Sequence, residues 1–323
     1  MLKGQTISIA IATYKSLPGY LYSQLDSIRL QTLLPDEVVI VDDGSHDGTV
    51  EKIENYICTH ELKNWHIYSQ DENTGYRIAF KNAIEKCHGD LIFLCDHDDV
   101  WNTDKIKIMA GIMDRNKDIL VLCSGYKMID SGGNECPKQL KLFSPEKHSH
   151  KSEFIMVNAE TIIRGNRFQG CSSVIRREIK DIFLKYFSKS LPHDYQINLL
   201  ASLRNGLAFT EQELLLYRMH NGNAIGISGR TSSLELRLQR YADQLAECCE
   251  VCCFINKAGV YPAYYKYSIH WAEYMSMRVK ALEKKDFSLW ICIWLKHFMI
   301  IGRRSILNLG FDGYCILKSR LGK

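Results

Sequence analysis

Over its first 124 residues the chain alternates two kinds of apolar pattern. Short β-branched runs predict strands at about 6–13, 37–42, 65–70, 90–95 and 119–124. Amphipathic segments between them predict helices at about 18–31, 48–60, 75–87 and 103–115. Strands spaced by helices mean βαβ units and a mostly parallel sheet. Residues 125–165 carry no clear period and are rich in Ser, Gly, Lys and His; a loop of that length is uncommon in a compact domain and is often functional. A strand near 171–176, helices at about 178–187 and 194–204, and a strand pair around 207–219 follow. Asn221–Gly229 then reads as a loop, and beyond Arg230 the pattern is helical only.

Two strand ends are acidic. Leu91-Ile-Phe-Leu94 runs into Cys95-Asp-His-Asp-Asp-Val-Trp101, which places Asp96, Asp98 and Asp99 where α/β sheets hold their ligands. Packed carboxylates repel unless a cation or donors compensate. Asp96 and Asp98, two apart, suit one hard divalent ion, Mg²⁺ or Mn²⁺, with positions left for diphosphate oxygens. The other reading is a polar loop with a helix-capping Asp. Glu37-Val-Val-Ile-Val-Asp42-Asp43 is a second strand ending in acid, followed by a turn at Gly44 and Gly48, with Asp47 or Thr49 suited to cap the next helix. The two acidic ends suggest two halves of one nucleotide-binding cleft.

These strings, with Ile7–Tyr14, Gln24–Ile28, Gln31, Asn73–Gly75, Asn82-Ala83, Gly89–Trp101, Gly170-Cys171, Asp194 and Tyr217–His220, resemble glycosyltransferase family 2 with the GT-A fold. The ordered set covers about residues 5–225. The Asp-x-Asp-Asp-Val-Trp form is similar to bacterial rhamnosyltransferase-like enzymes that build surface polysaccharide.

The resemblance implies a set of roles. Asp43 would accept the imide N–H of uracil or thymine, an edge common to UDP and dTDP donors, and Ala12 and Thr13 would wall the base. Turn capping is the alternative for Asp42 and Asp43. Asp98 would be the principal metal ligand, and Asp96 would contact the ribose or a metal-bound water. His220 would bind the metal or a phosphate oxygen, and Arg218 would clamp phosphate. Asp194 would be the base that activates the acceptor hydroxyl. Relatives often carry an acidic pair there, whereas this chain has His193-Asp194; relatives also commonly carry Asn where it has Lys15. Gly170 and Cys171 match a position near the acceptor, or a simple turn. The Gln-x-x-Arg-Trp signature of processive synthases is absent, so one sugar per encounter is expected. A nucleotidyltransferase would carry a Gly-rich, Lys/Arg-bearing loop after the first strand, and Ala12–Pro18 is not one. An inactive glycan-binding protein of the same fold would not need Asp98 and Asp194 together.

Length and charge complete the expectation. The 323 residues, 46% hydrophobic, fit a catalytic domain at 1–230 and a helical extension at 231–323. The net charge of +4 is too mild to argue for nucleic acid. It is uneven, however: residues 256–323 hold twelve Lys and Arg against four acids, so that tail stands at +8 and the rest at −4. A basic tail suggests an anionic surface as partner. Without a signal-peptide pattern, the enzyme is expected in the cytoplasm, with its twelve cysteines reduced. Cys248, Cys249, Cys252 and Cys253 pair at helical spacing, either as a soft-metal site or as small buried residues. Leu289–Ile301 is the most apolar stretch, too short to span a bilayer. Trp290, Trp294, Phe298 and Ile301 fit one face of an interfacial helix; a helix packed in a core fits the same pattern. The acceptor would be a surface glycan or lipid-linked precursor.

Overall fold

The computed structural model describes residues 4–16, 19–136, 152–220, 234–259, 261–297 and 303–320. The loop expected at Asn221–Gly229, part of the 125–165 segment, and Phe298 and Ile301 lie outside them. The chain divides into two compact units, one of residues 1–162 with 166–223, the other of 163–165 with 224–323.

The first unit is built on one mixed sheet. Strands β1 (Ile7–Thr13), β2 (Glu37–Asp42), β3 (Trp65–Ser69) and β4 (Leu91–Cys95) run parallel in the order β3-β2-β1-β4. β1 and β4 are apolar almost throughout because helices leave neither face to water. The connecting helices are α1 (Tyr20–Arg29), α2 (Thr49–Thr59), α3 (Tyr76–Lys86) and α4 (Lys105–Arg115). Their apolar stripes bury Leu25, Ile28, Ile53, Ile84 and Met109. Gly48 opens α2, and Asp47 Oδ1 accepts from Thr49 N at 3.1 Å and Thr49 Oγ1 at 2.6 Å. The expected cap is thus supplied from Asp47.

Beyond β4 the sheet becomes mixed, continuing β8-β6-β9-β5. Here β5 is Val100–Trp101, β6 Val121–Ile129, β8 Ser173–Arg176 and β9 Leu207–Arg218. β8 runs antiparallel to both β4 and β6. Two short elements, β7 (Ile155–Met156) and α5 (Ala159–Ile163), lie within the segment that carried no clear period. Helices α6 (Arg177–Tyr186) and α7 (His193–Ser202) follow β8. The expected strand pair at 207–219 is instead one strand. β9 runs parallel to β6, and the register slips on either side of Gly125. A Cβ at Gly125 would lie 2.9 Å from Glu211 O, so the bend needs glycine there.

Register places the chemistry. Thr13 pairs with Asp42 and Ile11 with Cys95, so β1, β2 and β4 end at one edge of the sheet. β9 ends there too, through Leu216 opposite Val100.

The second unit holds helices α8 (Leu234–Ala258), α9 (Pro262–Glu283), α10 (Phe287–His297) and α11 (Arg303–Arg320). Its core includes Tyr241, Trp271, Tyr274, Met275 and Ile293. Asp312 is buried between two arginines, with Arg237 Nε at 2.6 Å and Arg278 Nη2 at 2.6 Å. The structure separates the faces of α10 differently from the interfacial expectation. Trp290 and Trp294 pack on this core, and Trp290 Nε1 donates to Leu309 O at 2.7 Å. A Cβ at Gly313 would lie 2.6 Å from the Trp290 ring. The exposed apolar residues are Ile291 and Leu295, joined on α11 by Phe311, Tyr314 and Leu317. Trp290 turned inward because its ring fills the space against Leu309 and Gly313 of α11, and Trp294 packs edge-on beside it. In the cysteine cluster, Cys248 is buried, Cys252 partly so, and Cys249 and Cys253 are exposed.

Candidate active site

On the nucleotide side, two neighbouring carboxylates do different work. Asp42 is a turn residue: it accepts from Thr13 Oγ1 at 3.0 Å, Ser45 N at 2.9 Å and Ser45 Oγ at 2.5 Å. Asp43 reaches to the β3–α3 loop. It accepts from Gln70 Nε2 at 2.5 Å, Thr74 N and Oγ1 at 2.8 Å each, and Gly75 N at 2.8 Å. Those four bonds fill the usual acceptor capacity of a carboxylate. Ala12 and Thr13, both buried, end β1 beside them. Gly44 has φ +71, and a Cβ there would lie 2.6 Å from the Glu72 carbonyl carbon. Lys15 and His46 also sit at positive φ, 47° and 49°, in the two adjacent turns.

The acid turn after β4 divides its three carboxylates. Asp98 Oδ2 lies 2.8 Å from His220 Nε2. Arg218, at the end of β9, donates its backbone N–H to Asp99 Oδ1 at 2.9 Å and its Nε to Asp98 O at 2.8 Å. The guanidinium stacks over Tyr20, 4.5 Å from the ring centroid. Asp96 belongs to a further grouping: one ligand atom each from Asp96, Asp99 and Cys171 lie within 4.8 Å of one another. Asp99 Oδ2 is buried with no hydrogen-bond partner among the described residues. Burial, then the neighbouring acids, pushes Asp96 well above the usual carboxylate range and Asp99 up to about 7.

Lys105, in the first turn of α4, is a positive charge buried near this cluster. It is fully buried, donates to Cys171 O at 2.5 Å, and lies 4.0 Å from the Trp101 ring centroid. Burial pulls its ammonium down to about 8, against the pull of the Cys171 and Cys95 thiols and Asp99. Sequence reasoning missed it, because a lysine opening a helix reads as solvated; its spacing with Trp101 is the one signal that was available.

A 3₁₀ turn, Gly170–Ser172, joins the acid turn to Asp194. Cys171 serves the acid side. Gly170 packs against His193, where a Cβ would lie 2.7 Å from Nε2. Asp194 is the second residue of α7. Its Oδ2 accepts from Asn166 Nδ2 at 3.0 Å and its Oδ1 from Tyr195 N at 2.8 Å. Burial outweighs these donors and lifts its carboxyl to about 6, inside the range useful for a general base. Asn166, held in turn by Asn198 at 3.0 Å, was not anticipated from sequence. His193 stacks on Phe80, centroids 3.9 Å apart, with neither ring nitrogen hydrogen-bonded among the described residues. Burial, then Arg77, pulls it down to about 3, so it is neutral. The residue before Asp194 is therefore an uncharged ring.

The family model for glycosyl transferase family 2 matches residues 8–183, more than half of the chain. The chain belongs to that family. The matched region and the sheet make a glycosyltransferase domain of the GT-A type. An uncharacterized glycosyltransferase of Rickettsia typhi is 27% identical over 221 residues, covering 67% of this chain and 64% of the relative. One of Rickettsia prowazekii is 32% identical over 145 residues, 44% of this chain and 43% of the relative. The chain thus spans less than two thirds of either curated relative. An Escherichia coli protein named as a UDP-Gal:alpha-D-GlcNAc-diphosphoundecaprenol beta-1,3-galactosyltransferase is 27% identical over 124 residues, 36% of this chain and 42% of its own. Among solved structures, S. aureus TarS in complex with UDP-GlcNAc superposes with a TM-score of 0.57 at 16% identity, over 98% of this chain and 92% of that one. At that identity the likeness establishes the fold.

Proposed function

We propose that this protein is an inverting, metal-dependent glycosyltransferase that moves a sugar from a UDP-sugar to a hydroxyl of a lipid-linked or surface glycan precursor. Catalysis is assigned to residues 1–230 and a helical extension to 231–323. The observation that carries the reading is Asp194: a carboxylate raised by burial to about 6, joined through one 3₁₀ turn to an acid cluster at the ligand edge of the sheet. Asp194 takes the proton from the acceptor hydroxyl as that oxygen attacks the anomeric carbon. The new C–O bond forms opposite the breaking bond to the nucleoside diphosphate, and one such displacement inverts the centre, as in single-displacement glycosidases. Ala12, Thr13 and Asp43 bound the base pocket, Asp43 through the loop it orders. The oxygen and nitrogen donors of Asp98, Asp96 and His220 fit Mg²⁺ or Mn²⁺, which when bound would neutralise the leaving diphosphate as a Lewis acid. Arg218 holds the acid turn, Cys171 lies against that turn, and Gly170 lines the acceptor side beside Asp194.

UDP is favoured over dTDP by the fold's likeness to a UDP-GlcNAc-binding protein, and a lipid-linked acceptor by the name of the E. coli relative. Thermal shift with UDP, dTDP and GDP, each with and without Mn²⁺, tests the donor. Stabilisation by UDP that requires Mn²⁺ is expected, and no response to any of the three would overturn the reading. Product NMR with a hydrolysis-resistant acceptor analogue tests inversion.

No helix among the described residues is long and apolar enough to cross a membrane. A lipid-linked acceptor therefore calls for a peripheral contact at the inner face of the cell membrane. The second unit offers Ile291, Leu295, Phe311, Tyr314 and Leu317 as exposed apolar residues, with Lys296 and Lys318 exposed on the same two helices. Such a surface suits anionic lipid.

A further inference from the structure

His193 opens α7, one residue before Asp194, and is only 4% exposed. Its ring lies nearly parallel to Phe80 and edge-on to Tyr76, so two side chains of α3 fix its plane. Stacking of this kind needs no nitrogen, and an apolar side chain would serve it without cost. Yet both ring nitrogens are buried and unpartnered among the described residues. Buried polar atoms are nearly always hydrogen-bonded, so the ring asks for a partner that these residues do not supply. Being neutral, it offers one N–H donor and one acceptor nitrogen.

Gly170 shows where such a partner would sit. Its φ lies outside the left-handed region, so backbone conformation does not call for glycine; space does. A Cβ there would lie 2.7 Å from His193 Nε2 and 3.5 Å from Asp194 Cβ. The first distance is that of a hydrogen bond to oxygen. The missing side chain therefore leaves a recess in which one oxygen atom would touch the imidazole and adjoin the base. We propose that His193 is a specificity residue for the acceptor: its Nε2 hydrogen-bonds, within that recess, a sugar hydroxyl next to the one that Asp194 deprotonates. The inference rests on the reading of Asp194 as the base and names what holds the acceptor against it. A neutral ring makes this bond without setting a second charge beside the carboxylate. An acceptor that lacks the hydroxyl leaves a buried nitrogen unpaired and is rejected for that reason.

The test uses the full chain, with UDP-GlcNAc or UDP-galactose as donor and octyl glycosides of the common hexoses and N-acetylhexosamines as acceptor probes. Product NMR locates the attacking hydroxyl of the best probe, which is then compared with its monodeoxy forms, each lacking one neighbouring hydroxyl. Wild type is expected to lose about ten- to a hundredfold in kcat/KM on one of these forms. His193→Leu keeps an apolar contact with Phe80 and has no nitrogen. In it the intact acceptor should fall by the same factor, mainly through KM, and the deoxy form should react as it does with wild type. A merely structural role would lower both acceptors together and leave the preference intact. No preference in wild type, or a preference retained in His193→Leu, overturns the assignment. Should His193→Leu fail to fold by circular dichroism, Gly170→Ala decides: filling the recess should erase the preference, and a retained preference overturns the assignment. Transfer by wild type without a His193-dependent preference counts against this inference alone. Absence of transfer to every probe by wild type overturns the proposed function, and this inference with it.

Discussion

His220 Nε2 and Asp98 Oδ2 lie 2.8 Å apart although 122 residues separate them in the chain. The contact closes the end of β9 over the turn after β4, and Arg218 adds a bond to each of Asp98 and Asp99. Asp98→Asn is expected to abolish transfer and divalent-dependent UDP binding while leaving the far-ultraviolet spectrum unchanged. Calorimetric titration with UDP and Mn²⁺ checks it. Wild-type affinity in the variant would leave Asp98 as a turn residue.

Asp194→Asn is expected to keep donor binding and lose turnover by roughly two to four orders of magnitude, the usual worth of a general base. Near wild-type kcat would place the base elsewhere.

The same carboxyl ties stability to pH. It titrates near 6 in the folded protein and near 4 when unfolded, so the native state binds the extra proton between those values. The favourable contribution is present in full below about pH 4 and is lost as pH rises through about 6. A shift of that size corresponds to about 1–2 kcal/mol once partial exposure is discounted. Asn cannot ionise, so the Tm of Asp194→Asn relative to wild type should rise between pH 4 and pH 7. A flat difference would show that burial does not perturb the group. Turnover should fall as pH drops below about 6, because the base must be ionised to act.

Gly44→Ala should destabilise the protein by about 1–3 kcal/mol, through both its positive φ and contact with the Glu72 backbone. Urea unfolding gives the number. A loss within about 0.5 kcal/mol would mean that the β3–α3 loop yields freely.

Sedimentation with anionic vesicles tests the second unit. Wild type is expected to bind in a salt-sensitive manner, each cation contributing about 1 kcal/mol near the surface. Binding should drop in Arg303→Glu/Arg304→Glu, and also in Leu295→Ser, the most exposed apolar residue of α10 at 80%. Transfer to a soluble acceptor analogue should survive both changes. Equal sedimentation of all three proteins, or of none, rules out this surface.

The parallel half of the sheet was legible because each strand is a local apolar run whose ends carry turn residues. Helix α7 and the position of Asp194 within it followed from the same local logic. What failed to show were pairings set by distant segments. β9 read as two strands because its polar middle, Glu211–Glu213, interrupts the apolar pattern, whereas the slip at Gly125 absorbs it within one strand. Asp96 and Asp98 suggested a ligand pair by spacing; the partners the fold brings to the turn, His220 at Asp98 and Cys171 near Asp96 and Asp99, lie too far along the chain for local pattern to show. The face of α10 was ambiguous in sequence, and Leu309 and Gly313 on α11 decided it for Trp290.

Asp43 has a consequence for how a nucleotide would enter. Its four hydrogen bonds hold residues 70–75 in place before any ligand arrives. A loop already ordered has little freedom left to lose, so association would carry a small conformational-entropy penalty. The pocket on this side would receive its ligand as a rigid socket, and its selectivity would rest on shape fixed in advance rather than on closure around the guest.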